Sequence, residues 1–364
     1  MKENLKAVLF RFVAVVLGIF VAALLGEIVL RLFMPSRLTS SRSERSLFYR
    51  FDRHLGWAPL ENVTGIHKIR GLTGIVHQNQ YGLRGPDDMQ LNKTSSKKRV
   101  LVLGDSFVWG FGMSQTKLFS APEVHGTEEE ILNFGVSGYG TDQEYLLYLI
   151  KGTKFVVDQV VVALTPCNDI ANNLASEQYS YLKPYFTLEA GQLVLHDDHV
   201  RNNSLRGITT SLNRHSRLLN LLSERINVMW DALKPPKLKK FAANTVTDRK
   251  RAGVDLTVAI LKKLQAAVAA HDAEFYVIFI PCKPYIEKHL ADNHPLVPLI
   301  AAGLTRSGIS YREPYPEFLK AAIAGSHLFN DPDEHFSAEG HALFAKFLTD
   351  TEQARASVDY YAHQ

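Results

Sequence analysis

The sequence predicts an α/β protein, a three-layer α/β/α sandwich around a parallel sheet, preceded by one N-terminal transmembrane helix. Two patterns support this prediction. After about residue 98, short and nearly continuous apolar runs alternate with stretches of helical period, as in a doubly wound sheet. Near the N-terminus, residues 12–26 form an uncharged, mostly apolar run. With 46% apolar and 21% charged residues, the chain has the composition of a globular protein with an ordinary core.

The N-terminal apolar run predicts a membrane anchor over residues 1–34. As a helix, residues 12–26 cover only ~22 Å of a hydrocarbon core of ~30 Å. Extension to Met34 gives a full span, provided that Glu27 and Arg31 pair near one end. A cleaved signal peptide is the alternative, and both interpretations export the rest of the chain. A soluble cytoplasmic protein would instead have to bury this segment as a core helix.

The orientation of this anchor follows from charge. Basic residues lie on both sides of the helix, and we expect the N-terminus in the cytoplasm. The domain that follows would then be periplasmic or extracellular.

The rest of the chain divides into three parts, the second of which contains an insertion. Residues 35–98 are polar and broken by Gly and Pro, which predicts a linker and an irregular lead-in. Residues 99–350 carry the alternating pattern of the main domain, and residues 351–364 form a C-terminal tail. Within the main domain, residues 172–251 are far more chain than a crossover needs, which predicts an insertion or lid over the carboxyl ends of the strands.

Four apolar runs are the candidate strands of the sheet. Each is short and rich in Val, Ile, Leu and Phe, which indicates burial on both faces. The runs are Arg99 to Leu103, Ile131 to Val136, Gln159 to Thr165 and Glu274 to Ile280. A helical period over residues 256–268 precedes the fourth run, a helix is predicted around Leu218 to Leu233, and Ser337 is placed to cap a closing helix from Ala338 to Leu348.

In an open α/β sheet, ligands bind beyond the carboxyl ends of the strands, so the segments there are candidates for chemistry. The first strand runs into Gly-Asp-Ser at residues 104–106, and the second into Gly-Val-Ser-Gly-Tyr-Gly at residues 135–140. The third runs into Pro-Cys-Asn-Asp at residues 166–169, and a segment rich in acids near the C-terminus contains His335. A serine, a glycine, an asparagine and a histidine are therefore expected at one edge.

These four blocks, in this order, resemble the SGNH or GDSL-like serine hydrolase superfamily over about residues 80–350. The run Tyr-Gly-Leu-Arg-Gly at 81–85 and the run Gly-Tyr-Gly-Thr-Asp-Gln at 138–143 resemble a membrane-anchored bacterial branch of it. The resemblance implies a flavodoxin-like sheet and a nucleophile at Ser106. It also implies an oxyanion hole from Ser106, Gly138 and Asn168, and a general base at His335.

The acid of the triad is the open assignment. Its usual position in the superfamily, three residues before the histidine, is Pro332 here. Asp333 is our assignment, and Asp331 is the alternative. The chemistry needs such a group, because a serine hydroxyl requires a base and a carboxylate holds the imidazole in the productive tautomer. By contrast, Asp105 is expected to organise the turn.

The predicted function is ester hydrolysis or O-acyl transfer through an acyl-enzyme, on an acyl ester such as an O-acetylated envelope glycan. No cofactor or metal is expected, and the net charge of +4, from 41 Lys+Arg and 37 Asp+Glu, gives no reason to expect a nucleic-acid partner. Cys167 and Cys282 follow the ends of neighbouring strands and are either a disulfide or two buried thiols. His341 is expected to be structural. A catalytically silent SGNH-fold protein that binds or assembles envelope polysaccharide is the alternative function.

Overall fold

A computed structural model describes residues 2–33, 39–40, 45–69, 71–126, 128–179, 181–203, 216–219, 221–222, 225–226, 229, 247–290, 294–331 and 333–349. The chain forms two compact units. The first comprises residues 1–38 and 204–241, and the second comprises residues 39–203 and 242–364.

The first unit contains the long apolar helix α1, Lys2–Phe33. Within it, Lys6–Phe33 is long and apolar enough to cross a membrane, and its most apolar window is not buried by protein. The sequence prediction of an apolar N-terminal helix is therefore confirmed, and the helix is a candidate membrane anchor or signal sequence. The alternative of a buried core helix is wrong.

Glu27 is the acidic residue in the apolar part of α1, and it has several hydrogen-bond donors. Arg31 Nε donates to its Oε1 at 2.7 Å, which is the i,i+4 pair that the sequence predicts. Its Oε2 accepts from Ser216 Oγ and from the backbone N–H of Leu218, both at 2.9 Å. The backbone N–H of Arg217 donates to Oε1 at 3.1 Å. These donors compensate the carboxylate, which explains how an apolar helix tolerates it near one end.

The second unit is built from short strands and helices. Its strands are β1 Thr39–Ser40, β2 Tyr49–Asp52, β3 Gly56–Pro59, β4 Val63–Ile69, β5 Leu72–Gln78, β6 Lys98–Gly104, β7 Glu129–Gly135, β8 Gln159–Leu164, β9 Glu177–Gln178, β10 Tyr181–Leu182, β11 Tyr185–Glu189, β12 Gln192–His196, β13 Glu274–Phe279 and β14 Tyr311–Arg312. Its helices are α2 Arg45–Phe48, α3 Ser106–Trp109, α4 Pro122–His125, α5 Thr141–Ile150, α6 Asp169–Asn173, α7 Asp198–Arg201, α8 Asp248–Ala269, α9 Lys283–Glu287, α10 Val297–Arg306, α11 Tyr315–Ile323 and α12 Ala338–Thr349.

The central sheet is parallel and has five strands in the order β14-β13-β8-β6-β7. Counted along the chain, this is the 2-1-3-4-5 order of flavodoxin-like folds. The four predicted strands are confirmed as β6, β7, β8 and β13, with ends that differ by at most two residues. The sequence analysis missed the fifth strand, because β14 has only two residues and one of them is an arginine.

Alternate residues of the sheet strands enter two separate cores, which makes the fold a three-layer sandwich. In β6, Leu101 and Leu103 contribute to one core, and Val100 and Val102 to the other. Helices α5, α8 and α10 bury their apolar faces on the first side, and α9, α11 and α12 on the second. All four of these β6 side chains are fully buried, as the continuous apolar runs predicted.

The lead-in is not irregular, contrary to the sequence prediction. Strands β2 and β3 form one antiparallel hairpin, and β4 and β5 form a second. The burial of β4 alternates along the strand, but its inward residues include Gly65 and His67 as well as Val63, so the apolar alternation is weak in the sequence. His67 is fully buried and packs its ring 4.8 Å from that of Phe111.

The start of the predicted insertion is also ordered. After α6 it forms two antiparallel pairs, β9 with β10 and β11 with β12, followed by α7. The helix predicted around Leu218 to Leu233 is helical at residues 217–219, 221–222, 225–226 and 229, and its other residues lie outside the described part. Whether the insertion acts as a lid stays a prediction.

Candidate active site

Ser106 lies at the point where β6 ends and α3 begins. Asp105 caps this short helix, because its Oδ1 accepts the backbone N–H of Phe107 at 2.9 Å. The Ser106 side chain is at the edge of the buried core, with the residue 9% exposed. This strand-to-helix turn presents the hydroxyl at the carboxyl edge of the sheet, where the sequence analysis expected chemistry.

The structure places Ser106, His335 and Asp333 in a continuous chain of contacts. Ser106 Oγ lies 2.7 Å from His335 Nε2. The other ring nitrogen, Nδ1, contacts Asp333 Oδ1, and the same oxygen accepts the backbone N–H of His335 at 3.0 Å. The ring stacks on Phe111 with centroids 4.4 Å apart, which fixes its plane. A serine, an imidazole and a carboxylate are thus arranged as in a nucleophile, base and orienting acid.

The two candidate acids are in different environments. Asp333 is buried, with a side chain 4% exposed, and it contacts the imidazole. Asp331 has a side chain 86% exposed, and its Oδ1 accepts a hydrogen bond from Lys283 Nζ at 3.0 Å. The geometry therefore favours Asp333 over Asp331. Pro332 lies outside the described residues.

The candidate oxyanion donors lie on the neighbouring loops. Gly138 follows β7 with a φ of +79°, a left-handed conformation that suits glycine. Asn168 follows β8, and its Nδ2 donates to Asp105 Oδ2 at 2.7 Å. A side-chain amide carries two N–H hydrogens, so this bond orients the amide while its second hydrogen can serve a substrate. Burial raises the pKa of Asp105, and the hydrogen bond from Asn168 acts against that shift.

The hairpin of β2 and β3 holds the Gly138 loop, a contact that was not predicted from the sequence. The backbone N–H of Ser137 donates to Tyr49 Oη at 2.9 Å, and its carbonyl accepts from Trp57 Nε1 at 3.1 Å. Tyr139 Oη in turn donates to the carbonyl of Trp57. These three aromatic residues are buried, and their hydrogen bonds hold the loop in place.

Arg84 supports the nucleophile helix and explains the Tyr-Gly-Leu-Arg-Gly run. Its guanidinium is fully buried and donates to the carbonyls of Trp109 and Gly110, both at 2.8 Å, and of Met113 at 2.9 Å. The first two carbonyls lie at the C-terminal end of α3, where backbone acceptors have no helical partner. Burial lowers the pKa of Arg84 to about 9, so the residue stays cationic at neutral pH. The Tyr-Gly-Leu-Arg-Gly run was the feature of the sequence that could have indicated this role. The carbonyl groups that Arg84 binds could not be identified from the sequence.

His341 lies in α12, and its buried ring stacks on Phe119 with centroids 6.0 Å apart. Burial lowers its pKa to about 3. Because the unfolded chain then binds more protons below pH ~6.5, stability falls as the pH drops from there toward the folded value. At pH 5 we expect a loss of about 2 kcal/mol from this residue.

Chemical unfolding of the full chain at pH 7 and pH 5 tests this prediction. The loss of unfolding free energy between the two pH values should be smaller in His341→Leu than in wild type. An equal loss in both proteins would show that His341 does not carry the effect.

Cys167 and Cys282 are bonded to each other as a disulfide, with Cα atoms 6.3 Å apart. That spacing is within the range of disulfides. Cys167 precedes Asn168 and Cys282 precedes α9, so the bond connects two loops at the carboxyl edge of the sheet. Of the two alternatives left open by the sequence, the structure has the disulfide.

Comparison with known proteins gave structural matches alone. No protein-family model and no curated protein matches the chain. Similar solved structures include a GDSL-like lipase from Bacteroides thetaiotaomicron, with 11% identity over 74% of this chain and 93% of that one, and a TM-score of 0.38. They also include the psychrotrophic esterase EstA from Pseudoalteromonas, with 11% identity over 72% of this chain and 100% of that one, and a TM-score of 0.37.

A third similar structure is an acetyl-xylooligosaccharide esterase from Geobacillus, with 11% identity, coverage of 71% and 94%, and a TM-score of 0.37. At such low identities and TM-scores, the activities of these proteins are not transferred to this chain. The fold and site of the chain itself define an α/β protein of flavodoxin-like topology with a Ser-His-Asp constellation at the carboxyl edge of its sheet. Two of the similar structures are described as a lipolytic protein of the G-D-S-L family and as a GDSL-like lipase.

Proposed function

We propose that this chain is a serine ester hydrolase or O-acyltransferase that works through an acyl-enzyme on Ser106. The observation that carries the proposal is the 2.7 Å contact between Ser106 Oγ and His335 Nε2, with Asp333 on the other ring nitrogen. A serine hydroxyl at neutral pH needs an adjacent base, and an oriented imidazole supplies one. The same contact argues against a catalytically silent protein, whose imidazole would need no orienting acid.

In the proposed mechanism, Ser106 Oγ attacks the ester carbonyl carbon while its proton passes to His335 Nε2. The oxyanion is stabilised by the backbone N–H groups of Ser106 and Gly138 and by the amide of Asn168. When the intermediate collapses, the ester C–O bond breaks and His335 protonates the leaving alcohol. A water molecule or an acceptor hydroxyl then attacks the acyl-enzyme and gives its proton to His335. His335 returns this proton to Ser106 Oγ as the bond between the acyl group and Ser106 breaks.

The proposed substrate is a carboxylic ester with a small acyl group, an acetyl ester of an envelope glycan being the class we favour. Helix α1 supports a location at the membrane, because Lys6–Phe33 is long enough to span it. With the N-terminus in the cytoplasm, the catalytic unit would face the cell envelope. Extraction of membranes with alkaline carbonate tests this part: an anchored protein stays in the pellet, whereas a cleaved protein is released.

Fluorophosphonate labelling of the purified full chain tests the activity. We expect wild type to be labelled and Ser106→Ala and His335→Ala not to be, with all three folded by circular dichroism. A labelled wild type is then assayed for acetate release from p-nitrophenyl acetate, with and without sugar acceptors, to separate hydrolysis from transfer. A folded wild type that is neither labelled nor releases acetate would overturn the proposal in favour of a silent binding or assembly protein.

A further inference from the structure

Lys283 is a nearly buried lysine beside the catalytic loop, and the proposed mechanism does not use it. Its side chain is 11% exposed. Nζ donates to the carbonyl oxygens of Asn330 at 2.8 Å and of Asp333 at 2.9 Å, and to Asp331 Oδ1 at 3.0 Å. The ammonium group of lysine has three N–H donors, and each has an acceptor on the loop that contains Asn330, Asp331 and Asp333.

The loop that Lys283 binds is the one that carries the acid and the base. The carbonyl of Asn330 also accepts the backbone N–H of Asp333 at 3.0 Å, so Lys283 and the turn share one acceptor. The backbone N–H of Asn330 donates to the carbonyl of His335 at 2.9 Å, and its side-chain amide donates to the carbonyl of Phe336 at 2.8 Å. Lys283 therefore connects Asn330 to Asp333 across the turn that places the Asp333 carboxylate against the His335 ring.

The disulfide connects this lysine to the other side of the site. Cys282, which is 2% exposed, directly precedes Lys283. Its partner Cys167 directly precedes Asn168, whose amide is the candidate oxyanion donor. One covalent path, through residues 168, 167, 282 and 283, thus runs from the oxyanion loop to the loop of the acid and base.

We propose that Lys283 is a positioning residue for Asp333 and His335, and that the Cys167–Cys282 disulfide holds this lysine at a fixed position relative to the oxyanion loop. This inference rests on the proposed hydrolase function. Its consequence is that the oxidised form has the full activity. Reduction by a dithiol breaks the S–S bond, transfers two electrons and two protons to give two thiols, and leaves the dithiol as a disulfide.

The test measures kcat and KM of the full chain on p-nitrophenyl acetate. Misplacement of a catalytic group by about 1 Å can cost about 10²-fold in rate, and we expect a loss of kcat of that order in Lys283→Met, with KM little changed. Lys283→Arg should recover part of kcat, since a guanidinium can still donate to the two carbonyls. Lys288→Met is the matched control, because Lys288 is an exposed lysine that follows the same helix.

Reduction provides a second measurement on a protein that is already folded. Dithiothreitol should lower kcat of wild type as thiol counting reaches two per chain, and it should have no effect on the double variant Cys167→Ser, Cys282→Ser. If kcat of Lys283→Met equals kcat of Lys288→Met, Lys283 does not position Asp333 and His335. If reduced wild type keeps its kcat, the disulfide does not contribute to this positioning. In both of these outcomes, fluorophosphonate still labels Ser106. If the proposed function is wrong, wild type itself is not labelled.

Discussion

Asp333→Asn should lower kcat/KM by about 10⁴-fold, while the protein stays folded. The Asp333 carboxylate contacts Nδ1 of His335, so it accepts the N–H there and leaves Nε2 free to take the Ser106 proton. An asparagine can present an N–H to the ring, which favours the tautomer with the proton on Nε2. That tautomer cannot act as the base. Steady-state hydrolysis of p-nitrophenyl acetate measures the effect.

Two neighbouring acids serve as comparisons for this substitution. Glu334→Gln removes a charge from an exposed residue between the acid and the base, and it should retain wild-type activity. Asp331→Asn should have a much smaller effect than Asp333→Asn, because Asp331 contacts Lys283 and not the imidazole. If Asp331→Asn were instead the inactive variant, the assignment of the acid would be reversed.

The sheet could be predicted from sequence because its strands are buried on both faces. A run such as that from Arg99 to Leu103 is recognisable without knowledge of its neighbours, since every position is apolar after the first. The hairpins of the lead-in were missed for the opposite reason. Their inward positions include Gly65 and His67, and the His67 ring is buried against the ring of Phe111. Such tertiary contacts are not visible in a local pattern.

The same distinction applies to the site. Ser106, Gly138, Asn168 and His335 follow strand ends or a conspicuous acidic segment, so topology places them at one edge. The residues that hold them were not predictable: Arg84 donates to carbonyls more than twenty residues away, and Trp57 donates to Ser137. Hydrogen bonds to backbone carbonyls cannot be recognised in a sequence, and although the Tyr-Gly-Leu-Arg-Gly run was noted, it did not predict a role for Arg84.

A buried charge cluster lies close to Asp105, and one of its members, Lys183, belongs to the segment predicted from the sequence as an insertion or lid. Lys183, from the start of the insertion, is fully buried, and its Nζ donates to Asp142 Oδ2 and to the carbonyl of Asn172 at 2.9 Å. Two further buried carboxyls, Glu144 and Asp169, lie close enough to interact with this pair. Burial, followed by the charges of Asp105 and Asp142, raises the pKa of Glu144 well above its usual range.

Lys183→Met should therefore destabilise the protein by about 3–5 kcal/mol, the cost of leaving one member of a buried ion pair without its partner. Burial raises the pKa of Asp142, and Lys183 is the cation that opposes this shift. Without the lysine, Asp142 must be buried as an anion or take up a proton. The variant should therefore gain stability relative to wild type as the pH falls, because its folded state then binds more protons than its unfolded state.

Urea unfolding of wild type, Lys183→Met and Lys183→Met/Asp142→Asn at pH 7 and pH 5 measures these effects. Removing both charges should restore part of the loss, since the double variant leaves no unpaired ion in the core. Lys154→Met, an exposed lysine of the same unit, should change the unfolding free energy by less than about 0.5 kcal/mol. Equal small effects of Lys183→Met and Lys154→Met would mean that Lys183 and Asp142 are both neutral in the folded wild type. The insertion would then contribute packing to the region behind the oxyanion loop, without a charge.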